Sequence, residues 1–355
     1  EEAVASYVGS KYAVAVSNGT AALHLASLAL GLDKKSAIVT SPITFVASAN
    51  AGSYVGSKVL FCDIDAKTIN ISIEHLAQTL ENHREIKTII PVHFAGFPCD
   101  MSAMSSIAEK YDVTIIEDAA HALGSKYPNG ELVGSCKYSS MTIFSFHPVK
   151  AIATGEGGMI TTNDEYLYRK LIRLRSHGIN KLNDSFIYED QSMTDDKLNT
   201  WYYEMQDLGY NYRISDFQCA LGLSQLSKLE KFIARRKYLV ERYDEAFSHA
   251  VNLCPIQNSD RNLSAHHLYI LRIDFDKINL SRAEIMLELK TRGIMTQVHY
   301  IPVPAQPYYK QLGNKAEDYP NSNSYYKECL TIPLFYDLTD QQQDKIISTI
   351  KELVY

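Results

Sequence analysis

Between residues 12 and 163 the sequence alternates between short apolar, β-branched runs and segments whose apolar residues lie three or four positions apart. The runs are YAVAVS (12–17), AIVTSPI (37–43), KVLFCDID (58–65), TIIPVHF (88–94), VTIIEDAA (113–120), SMTIFSF (140–146) and MITT (159–162). The helical spacing is clearest at 20–30, 72–83 and 101–111. This alternation predicts an α/β fold with a mostly parallel, seven-stranded sheet covered by helices on both faces.

The chain is long enough for a second, smaller domain. Its 355 residues exceed the roughly 250–300 at which a single hydrophobic core stops growing. The helical pattern over 214–247 is too long for an ordinary globular helix, so we expect it to bend or to link two domains. We predict a large domain of residues 1–235 and a small C-terminal α+β domain of residues 236–355. In the small domain we expect strands at 266–275 and 294–300 and helices near 282–292 and 340–353.

Charge and composition exclude several classes of function. The chain carries 35 basic and 41 acidic residues, a net charge of −6, and no stripes of Lys and Arg, which argues against a nucleic-acid partner. No apolar stretch approaches the ~18 residues of a membrane span, and no secretion signal begins the sequence. The six cysteines form no CxxC pair and the eleven histidines no HExxH motif, so we expect no metal, and reduced thiols in a cytoplasmic protein.

In parallel α/β sheets, ligands bind outside the carboxyl ends of the strands. The first predicted strand leads into Ser17-Asn18-Gly19-Thr20 and then directly into an apolar helix. Backbone N–H groups, hydroxyls and the positive end of a helix would meet there, as a phosphate site requires. Capping of the helix by these side chains is the alternative interpretation.

Three further strand ends carry residues that could bind one phosphate-containing cofactor together with this site. Glu117 and Asp118 end the fifth strand on opposite faces, so one of them points toward the site, although Asp118 could instead cap a helix. Lys150 leaves the sixth strand before the glycine-rich residues 155–158, where burial would lower its pKa, unless it is a surface lysine beside a flexible loop. Phe45 follows the second strand and offers a stacking face or a core side chain. Pyridoxal 5′-phosphate (PLP) needs a lysine, an acid for its ring nitrogen, a phosphate site and a stacking surface.

The same residues carry a resemblance to a known family. The sequence resembles the DegT/DnrJ/EryC1/StrS family of PLP-dependent sugar aminotransferases over essentially its whole length. The resemblance implies the aspartate-aminotransferase-like fold, fold type I of PLP enzymes. The segments that carry it are SNGTAALHLA (17–26), SPITFVASANA (41–51), VHFAGFPCDM (92–101), IIEDAAHALGS (115–125), FSFHPVK (144–150) with GEGG (155–158), LRSHG (174–178), LGYNYRISDFQCALGLSQL (208–226) and QVHYIPV (297–303).

The resemblance implies roles for individual residues. Lys150 would condense with the cofactor and shuttle a proton, Asp118 would hold the pyridine nitrogen protonated, and His121 would lie near the ring and its phenolic oxygen. Phe45 would stack on the ring. The phosphate would be held by Gly19, Thr20 and Ser145, and by Asn211 of the neighbouring subunit, which implies a homodimer with shared sites. The substrate would face His177, His299 and Tyr300, each of which could equally be a core or capping residue. Glu156 would lie near the substrate amine or, alternatively, fix the glycine turn.

Within that family the chain looks most like the transaminases of pseudaminic acid synthesis. The features that suggest this are His121, SFH before the lysine turn, ALGLSQL, HHLY (266–269) and RGIMTQVHY (292–300). This implies transfer of an amino group from L-glutamate to C4 of a UDP-linked 4-keto-6-deoxy-N-acetylhexosamine. Arg213 and Arg235 are candidates for the diphosphate, and the resemblance implies that a segment preceding Glu1 is missing.

Three alternatives remain open from the sequence. Another nucleotide-linked 4-keto or 3-keto sugar could be the acceptor. A PLP-dependent sugar dehydratase is the second alternative: it would have histidine in place of Lys150, which is present here, although His147 stands only three residues earlier. The third is a noncatalytic PLP-binding regulator, which would not need the Lys150 and Asp118 that this chain has. A nicotinamide dehydrogenase is disfavoured because the first βα turn has one glycine where the dinucleotide fingerprint has three.

Overall fold

A seven-stranded sheet forms the centre of the computed structural model, which describes residues 1–181, 185–257 and 259–354. The strand order is β1-β7-β6-β5-β4-β2-β3, and all but β7 run in the same direction. The predicted mostly parallel sheet is therefore confirmed. Its strands are β1 (Tyr12–Val16), β2 (Ala37–Thr40), β3 (Lys58–Phe61), β4 (Ile86–Ile90), β5 (Thr114–Asp118), β6 (Met141–Ser145) and β7 (Gly158–Thr162).

Helices cover both faces of this sheet, because each strand except β5 and β6 is joined to the next by a helix. The helices are α1 (Glu2–Val8), α2 (Gly19–Ala29), α3 (Val46–Tyr54), α4 (Ile73–Asn82), α5 (Met101–Tyr111), α6 (Glu165–Arg175), α7 (Glu189–Ser192), α8 (Asp216–Leu226), α9 (Leu229–Phe247), α10 (Arg282–Thr291), α11 (Pro307–Gln311), α12 (Pro320–Glu328) and α13 (Asp340–Val354). The predicted helices at 20–30, 72–83 and 101–111 correspond to α2, α4 and α5. Asn18, Ser72 and Asp100 cap them by accepting hydrogen bonds from backbone N–H groups.

The long helical pattern at 214–247 is divided into α8 and α9, with the break at Ser227 and Lys228. At the start of α9, Leu229 packs in the core of the large domain. Further along α9, Leu239 and Tyr243 pack in a separate core formed by the C-terminal residues. Residue 235 lies between these two groups of contacts, and we propose that α9 crosses the domain boundary there.

The C-terminal part is built on a three-stranded antiparallel sheet against which α9, α10 and α13 pack. Its strands are β12 (Leu253–Pro255), β13 (Tyr269–Ile273) and β14 (Cys329–Ile332); the remaining short strands are β8 (Ile179–Asn180), β9 (Met193–Thr194), β10 (Lys197–Leu198) and β11 (Glu204–Met205). The predicted strand at 294–300 is wrong. Only Gln297 pairs with β14, through one bridge to Thr331, and the chain then turns toward the large domain.

Two apolar layers hold the large domain together, one on each face of its sheet. The strands β2, β5 and β6 are almost completely buried, as expected for parallel strands with helices on both sides. Among the described residues, no helix is both long enough and apolar enough to cross a bilayer.

Candidate active site

A cavity of about 850 Å³ opens at the carboxyl edge of the large sheet. Strands β1, β2, β5 and β6 lead directly into its walls, so residues far apart in sequence meet there. Ten of the residues predicted to hold the cofactor or the substrate line it: Gly19, Thr20, Phe45, Asp118, His121, Ser145, Lys150, Glu156, His299 and Tyr300. Asn211 and His177 lie outside it, and so do the two diphosphate candidates, Arg213 and Arg235.

Asp118 is buried at the end of β5 and points into the cavity. Its Oδ2 atom accepts a 2.6 Å hydrogen bond from Oγ of Ser48, and its Oδ1 atom accepts one of 3.1 Å from the N–H of Ala120. The residues directly after β5 form a turn rather than a helix, so Asp118 is not a helix cap. These contacts hold a carboxylate in place and leave it facing the cavity.

Glu117, the neighbouring carboxylate, points to the opposite face of the sheet, as the strand alternation predicts. Its carboxylate accepts hydrogen bonds from Nε2 of His93 (2.8 Å) and from the hydroxyls of Tyr127 (2.6 Å), Ser139 (2.5 Å) and Thr142 (3.1 Å). Burial alone would raise the pKa of Glu117, but His93 and the hydroxyl donors lower it below its usual value. Glu117 therefore belongs to the core rather than to the cavity.

Lys150 lies in the turn that follows β6, where its N–H donates to the carbonyl of His147. Burial lowers the pKa of Lys150 to about 8, while the negative charge of Asp118 acts in the opposite direction. About a tenth of the amine is consequently neutral at pH 7, far more than for an ordinary lysine, and only this neutral form can act as a nucleophile or a proton acceptor.

Gly19 and Ser145 form a narrow cradle at the start of α2. A Cβ atom on Gly19 would lie 3.0 Å from Cβ of Ser145, closer than such atoms normally approach. Asn18 caps α2 with an accepted hydrogen bond from the N–H of Ala21, so the capping alternative is correct for Asn18. The first N–H groups of a helix have no acceptor within the helix, and those of Gly19 and Thr20 lie at the cavity wall.

Aromatic rings enclose the space between this cradle and Asp118. Phe45 is 59% exposed although it is an aromatic residue, and its ring centroid is 6.5 Å from that of Tyr300. The hydroxyl of Tyr300 lies 3.4 Å from Nε2 of His121. Burial, and after it the positive charge of Lys150, hold the pKa of His121 well below its usual value, so this imidazole is neutral.

His299 reaches the cavity from the C-terminal part of the chain. Its Nδ1 atom lies 2.9 Å from the hydroxyl of Thr331 on β14. Burial and the charge of Lys150 lower the pKa of His299 to about 4. His299 is thus a neutral hydrogen-bonding group close to a lysine that carries the positive charge.

Asn211 and His177 lie side by side on the surface. Their backbone segments pair there: Ser176 forms an antiparallel β-bridge with Asn211, and the N–H of His177 donates to the carbonyl of Tyr210. Both side chains are exposed. Within a single chain, neither residue contributes to the cavity.

Sequence reasoning missed several residues of the cavity wall. Tyr212, whose hydroxyl lies 3.2 Å from Nδ1 of His24, lines it beside α2. His267 lies behind the cavity wall, with its ring tilted by 35° against that of His121 and the two centroids 4.4 Å apart. The sequence did contain a pointer to His267, because this residue belongs to the HHLY segment that carries part of the resemblance. It contained none to His24, which lies within an apolar helix.

The cavity fits PLP at several points of its own geometry. The cradle at Gly19 has space that a Cβ would fill, next to helix N–H groups suited to a phosphate. A buried carboxylate, an amine with a lowered pKa and an exposed aromatic ring surround the adjacent space, and Nδ1 of His121 is buried without a protein partner. Among the described residues, no cluster of His, Cys, Asp and Glu suits a metal. Fold and site together define a PLP-dependent enzyme of the aspartate-aminotransferase-like fold.

Comparison with known proteins identifies the family. The model of the DegT/DnrJ/EryC1/StrS aminotransferase family matches residues 1–351, and the chain belongs to that family. It is 38% identical to the spore coat polysaccharide biosynthesis protein SpsC of Bacillus subtilis, over 100% of this chain and 88% of that protein. It is also 38% identical to the UDP-4-amino-4,6-dideoxy-N-acetyl-beta-L-altrosamine transaminase of Campylobacter jejuni, over 95% of this chain and 84% of that protein.

A solved structure shows the same fold with the cofactor. A Streptococcus pneumoniae protein, assigned as a sugar aminotransferase and solved in its PLP form, superposes with a TM-score of 0.88 at 29% identity, over 100% of this chain and 90% of that one. The protein is a PLP-dependent aminotransferase, as the resemblance of its sequence motifs implies.

Proposed function

We propose that this aminotransferase transfers the amino group of L-glutamate to C4 of a nucleotide-linked 4-keto-6-deoxy sugar, UDP-4-keto-6-deoxy-N-acetylhexosamine, in pseudaminic acid biosynthesis. The observation that carries the reaction type is the single cavity in which Lys150, with its lowered pKa, and the buried carboxylate of Asp118 face each other. The 38% identity to the Campylobacter jejuni transaminase supports the choice of sugar.

When bound, the cofactor supplies an aldehyde that accepts the donor's amino group and a ring that delocalises negative charge from the reacting carbon. Lys150 acts through Nζ, first as the nucleophile and later as the base that moves a proton to and from the reacting carbon. Asp118 presents its carboxylate to the protonated pyridine nitrogen, and the two hydrogen bonds that it accepts hold it in that orientation.

Gly19, Thr20 and Ser145 hold the phosphate of the cofactor with helix N–H groups and hydroxyls. Phe45 stacks on the ring, which accounts for an aromatic side chain exposed at the cavity. His121 lies beside the ring and contributes a neutral imidazole. His299 and Tyr300 face the sugar from the C-terminal side.

We propose a homodimer with shared sites. No residue of α8 is buried, and Phe217, Leu221 and Leu223 are exposed on it, as expected of a helix that a second subunit covers. Asn211 and His177 lie on the surface a few residues before α8 and beyond α6. In the dimer, Asn211 reaches the phosphate held by the partner and His177 reaches its substrate.

The six cysteines, all of which lie in the described ranges, are free thiols, and this supports a cytoplasmic enzyme. The test of function is a panel of 4-keto nucleotide sugars incubated with the purified holoenzyme and glutamate, with products identified by mass. Replacement of the keto oxygen by an amino group in the UDP-linked N-acetylhexosamine is the expected result. If only a different nucleotide sugar is aminated, the protein is an aminotransferase for that other sugar. If a sugar loses water without amination, the protein is a dehydratase.

A further inference from the structure

The ring of a second buried histidine, His267, packs against His121. Their centroids are 4.4 Å apart and their planes are tilted by 35°. His121 lines the cofactor cavity, whereas His267 lines a neighbouring cavity that shares Lys150 with the first. Both histidines are only 6% exposed. The contact between the two rings therefore lies in the interior, directly behind the cavity wall.

Hydrogen bonds from the protein do little to orient the imidazole of His121. Its Nδ1 is buried and has no partner among the described residues. Its Nε2 lies 3.4 Å from the hydroxyl of Tyr300, which is longer than a typical hydrogen bond. The rings of Phe94 and Tyr300 are further away than that of His267, with centroids 6.3 Å and 6.4 Å from that of His121. Packing against His267 is therefore the contact that restricts the plane of His121 most closely.

The backbone of His267 is held on both sides. Its N–H donates to the carbonyl of Ala95, in the turn that follows β4, at 3.0 Å. Its carbonyl accepts a hydrogen bond of 3.1 Å from Nη1 of Arg236, a buried residue of α9. Gly96 has a φ of +96°, and a Cβ on it would lie 3.0 Å from the carbonyl oxygen of His121 and 3.1 Å from the backbone nitrogen of His267. The glycine thus allows the two histidine backbones to come close together.

The contact joins two neutral rings. Burial, and after it the positive charges of Lys150 and Arg236, hold the pKa of His267 well below its usual value, as burial does for His121. Two uncharged imidazoles can pack together without repulsion, and aromatic pairs at this distance favour particular relative orientations. Since Nδ1 of His267 also has no partner among the described residues, the ring is available for packing rather than for hydrogen bonding at that atom.

We propose that His267 is a positioning residue for the cofactor site: its ring fixes the plane in which His121 presents its imidazole to the cofactor. This inference rests on the proposed function, in which His121 lies beside the cofactor ring. His267 itself does not line the cofactor cavity, so its effect on the cofactor passes through His121. Arg236 and Ala95 hold the backbone from which the ring of His267 extends.

The test compares replacements of His267 that differ in shape. The apoenzyme is titrated with PLP, and the visible circular dichroism of the bound cofactor reports its surroundings. His267→Phe keeps a flat ring and should retain the affinity and the dichroism of the wild type. His267→Leu lacks a flat ring, and its Kd for PLP should rise by roughly two- to tenfold, the range for loss of one aromatic pair, with a changed dichroism band.

The matched control is His266→Asn. It removes the neighbouring imidazole, which is 4% exposed and lines neither cavity. Asparagine tolerates the positive φ of 56° at this position, and the variant should bind PLP like the wild type. Thermal unfolding midpoints show which variants fold. If His267→Leu does not fold, His267→Met, whose side chain is flexible and adapts to irregular spaces, takes its place.

A double-variant cycle shows whether His267 acts through His121. If it does, the effect of His267→Leu on PLP affinity and dichroism should vanish in the His121→Ala background. Equal effects in both backgrounds would overturn the inference, because His267 would then act on the cofactor site by another route. So would wild-type affinity and dichroism in His267→Leu, or equal losses in the phenylalanine and leucine variants.

The proposed function is tested separately. Wild-type affinity and dichroism in His121→Ala would contradict the place of His121 beside the cofactor, and the inference would fall with it. If His121→Ala changes both signals but His267→Leu changes neither, only the inference is refuted. A wild type that aminates no nucleotide sugar, while the effect of His267→Leu still depends on His121, refutes only the proposed reaction.

Discussion

Ser48 on α3 donates a 2.6 Å hydrogen bond to Oδ2 of Asp118, which lies 70 residues further along the chain at the end of β5. Both groups are buried, and Oγ of Ser48 is also 2.7 Å from the hydroxyl of Thr44. The bond from Ser48 fixes the direction in which the carboxylate of Asp118 faces, and a protonated pyridine nitrogen needs an acceptor in a fixed position.

The first prediction concerns this bond. Ser48→Ala should reduce cofactor affinity and turnover by roughly tenfold, the range for loss of a hydrogen bond to a charged group. Asp118→Asn removes the charge itself and should cost considerably more. The checks are titration of the apoenzyme with PLP and steady-state kinetics. Ser53→Ala, on the same helix and remote from Asp118, is the control; equal losses in both serine variants would mean that α3 was simply disturbed.

The second prediction concerns the pH dependence of cofactor uptake. Only the neutral amine of Lys150 can attack the aldehyde, and its pKa of about 8 lies below the ordinary value for lysine. The rate of PLP incorporation into the apoenzyme should therefore rise about tenfold per pH unit below pH 8 and level off above it. Incorporation can be followed by visible absorbance, which Lys150→Ala should not develop.

Because the charge of Asp118 raises the pKa of Lys150, Asp118→Asn should move this transition to lower pH. A rate that keeps rising to pH 10 in the wild type would show that Lys150 is not desolvated.

The seven large-domain strands were predictable because β-branched runs and helical spacing alternate along the sequence. Lys150 and Asp118 were predictable because chemistry-bearing residues at the carboxyl ends of parallel strands converge. Ser48 was not, since a serine among small helical residues gives no local sign of which carboxylate it will meet. Long-range contacts of this kind depend on how α3 packs on the sheet.

The wrong strand at 294–300 has a different origin. The alternation in IMTQVHY is typical of a strand, but strand formation needs a partner with free backbone groups. Here β14 offers only one bridge, at Thr331, and the end of the segment carries His299 and Tyr300 to the cavity. Local pattern cannot distinguish a paired strand from an extended segment that delivers side chains to a site.

The third prediction concerns the Gly19 cradle. Gly19→Ala would place a Cβ 3.0 Å from Cβ of Ser145 and partly fill the proposed phosphate space. Affinity for PLP should fall by roughly tenfold or more, on the scale of lost charge-assisted hydrogen bonds. The thermal midpoint of the apoenzyme should change little, because the better helix propensity of alanine opposes the crowding against Ser145. Unchanged PLP affinity would place the phosphate elsewhere.

The fourth prediction concerns stability. Glu117→Gln would put an amide N–H₂ group among donors in a buried network and should reduce the free energy of unfolding by about 1–3 kcal/mol or more. The lowered pKa of Glu117 has a further consequence: the stabilisation it provides is present above the unfolded-state pKa, about 4.3, and is lost as the pH falls through the folded-state value. Urea unfolding between pH 3 and 7 would measure both effects. Glu109→Gln, exposed on α5, is the control and should shift stability by less than about 0.5 kcal/mol.

The last prediction separates a shared site from a self-contained one. Asn211 lies on the surface, outside the cavity of its own chain, whereas Lys150 lies within it. In a dimer with shared sites, a Lys150→Ala subunit still offers its Asn211 to the partner, and an Asn211→Ala subunit still has its own Lys150. A hybrid of the two therefore contains one intact site and one that lacks both residues. Mixing the two inactive or weakened variants under conditions of subunit exchange should restore part of the activity, up to about half that of the wild type in each hybrid. If each site used residues of one chain only, every site in the hybrid would carry one of the two defects, and mixing would give no more than the average of the two separate activities.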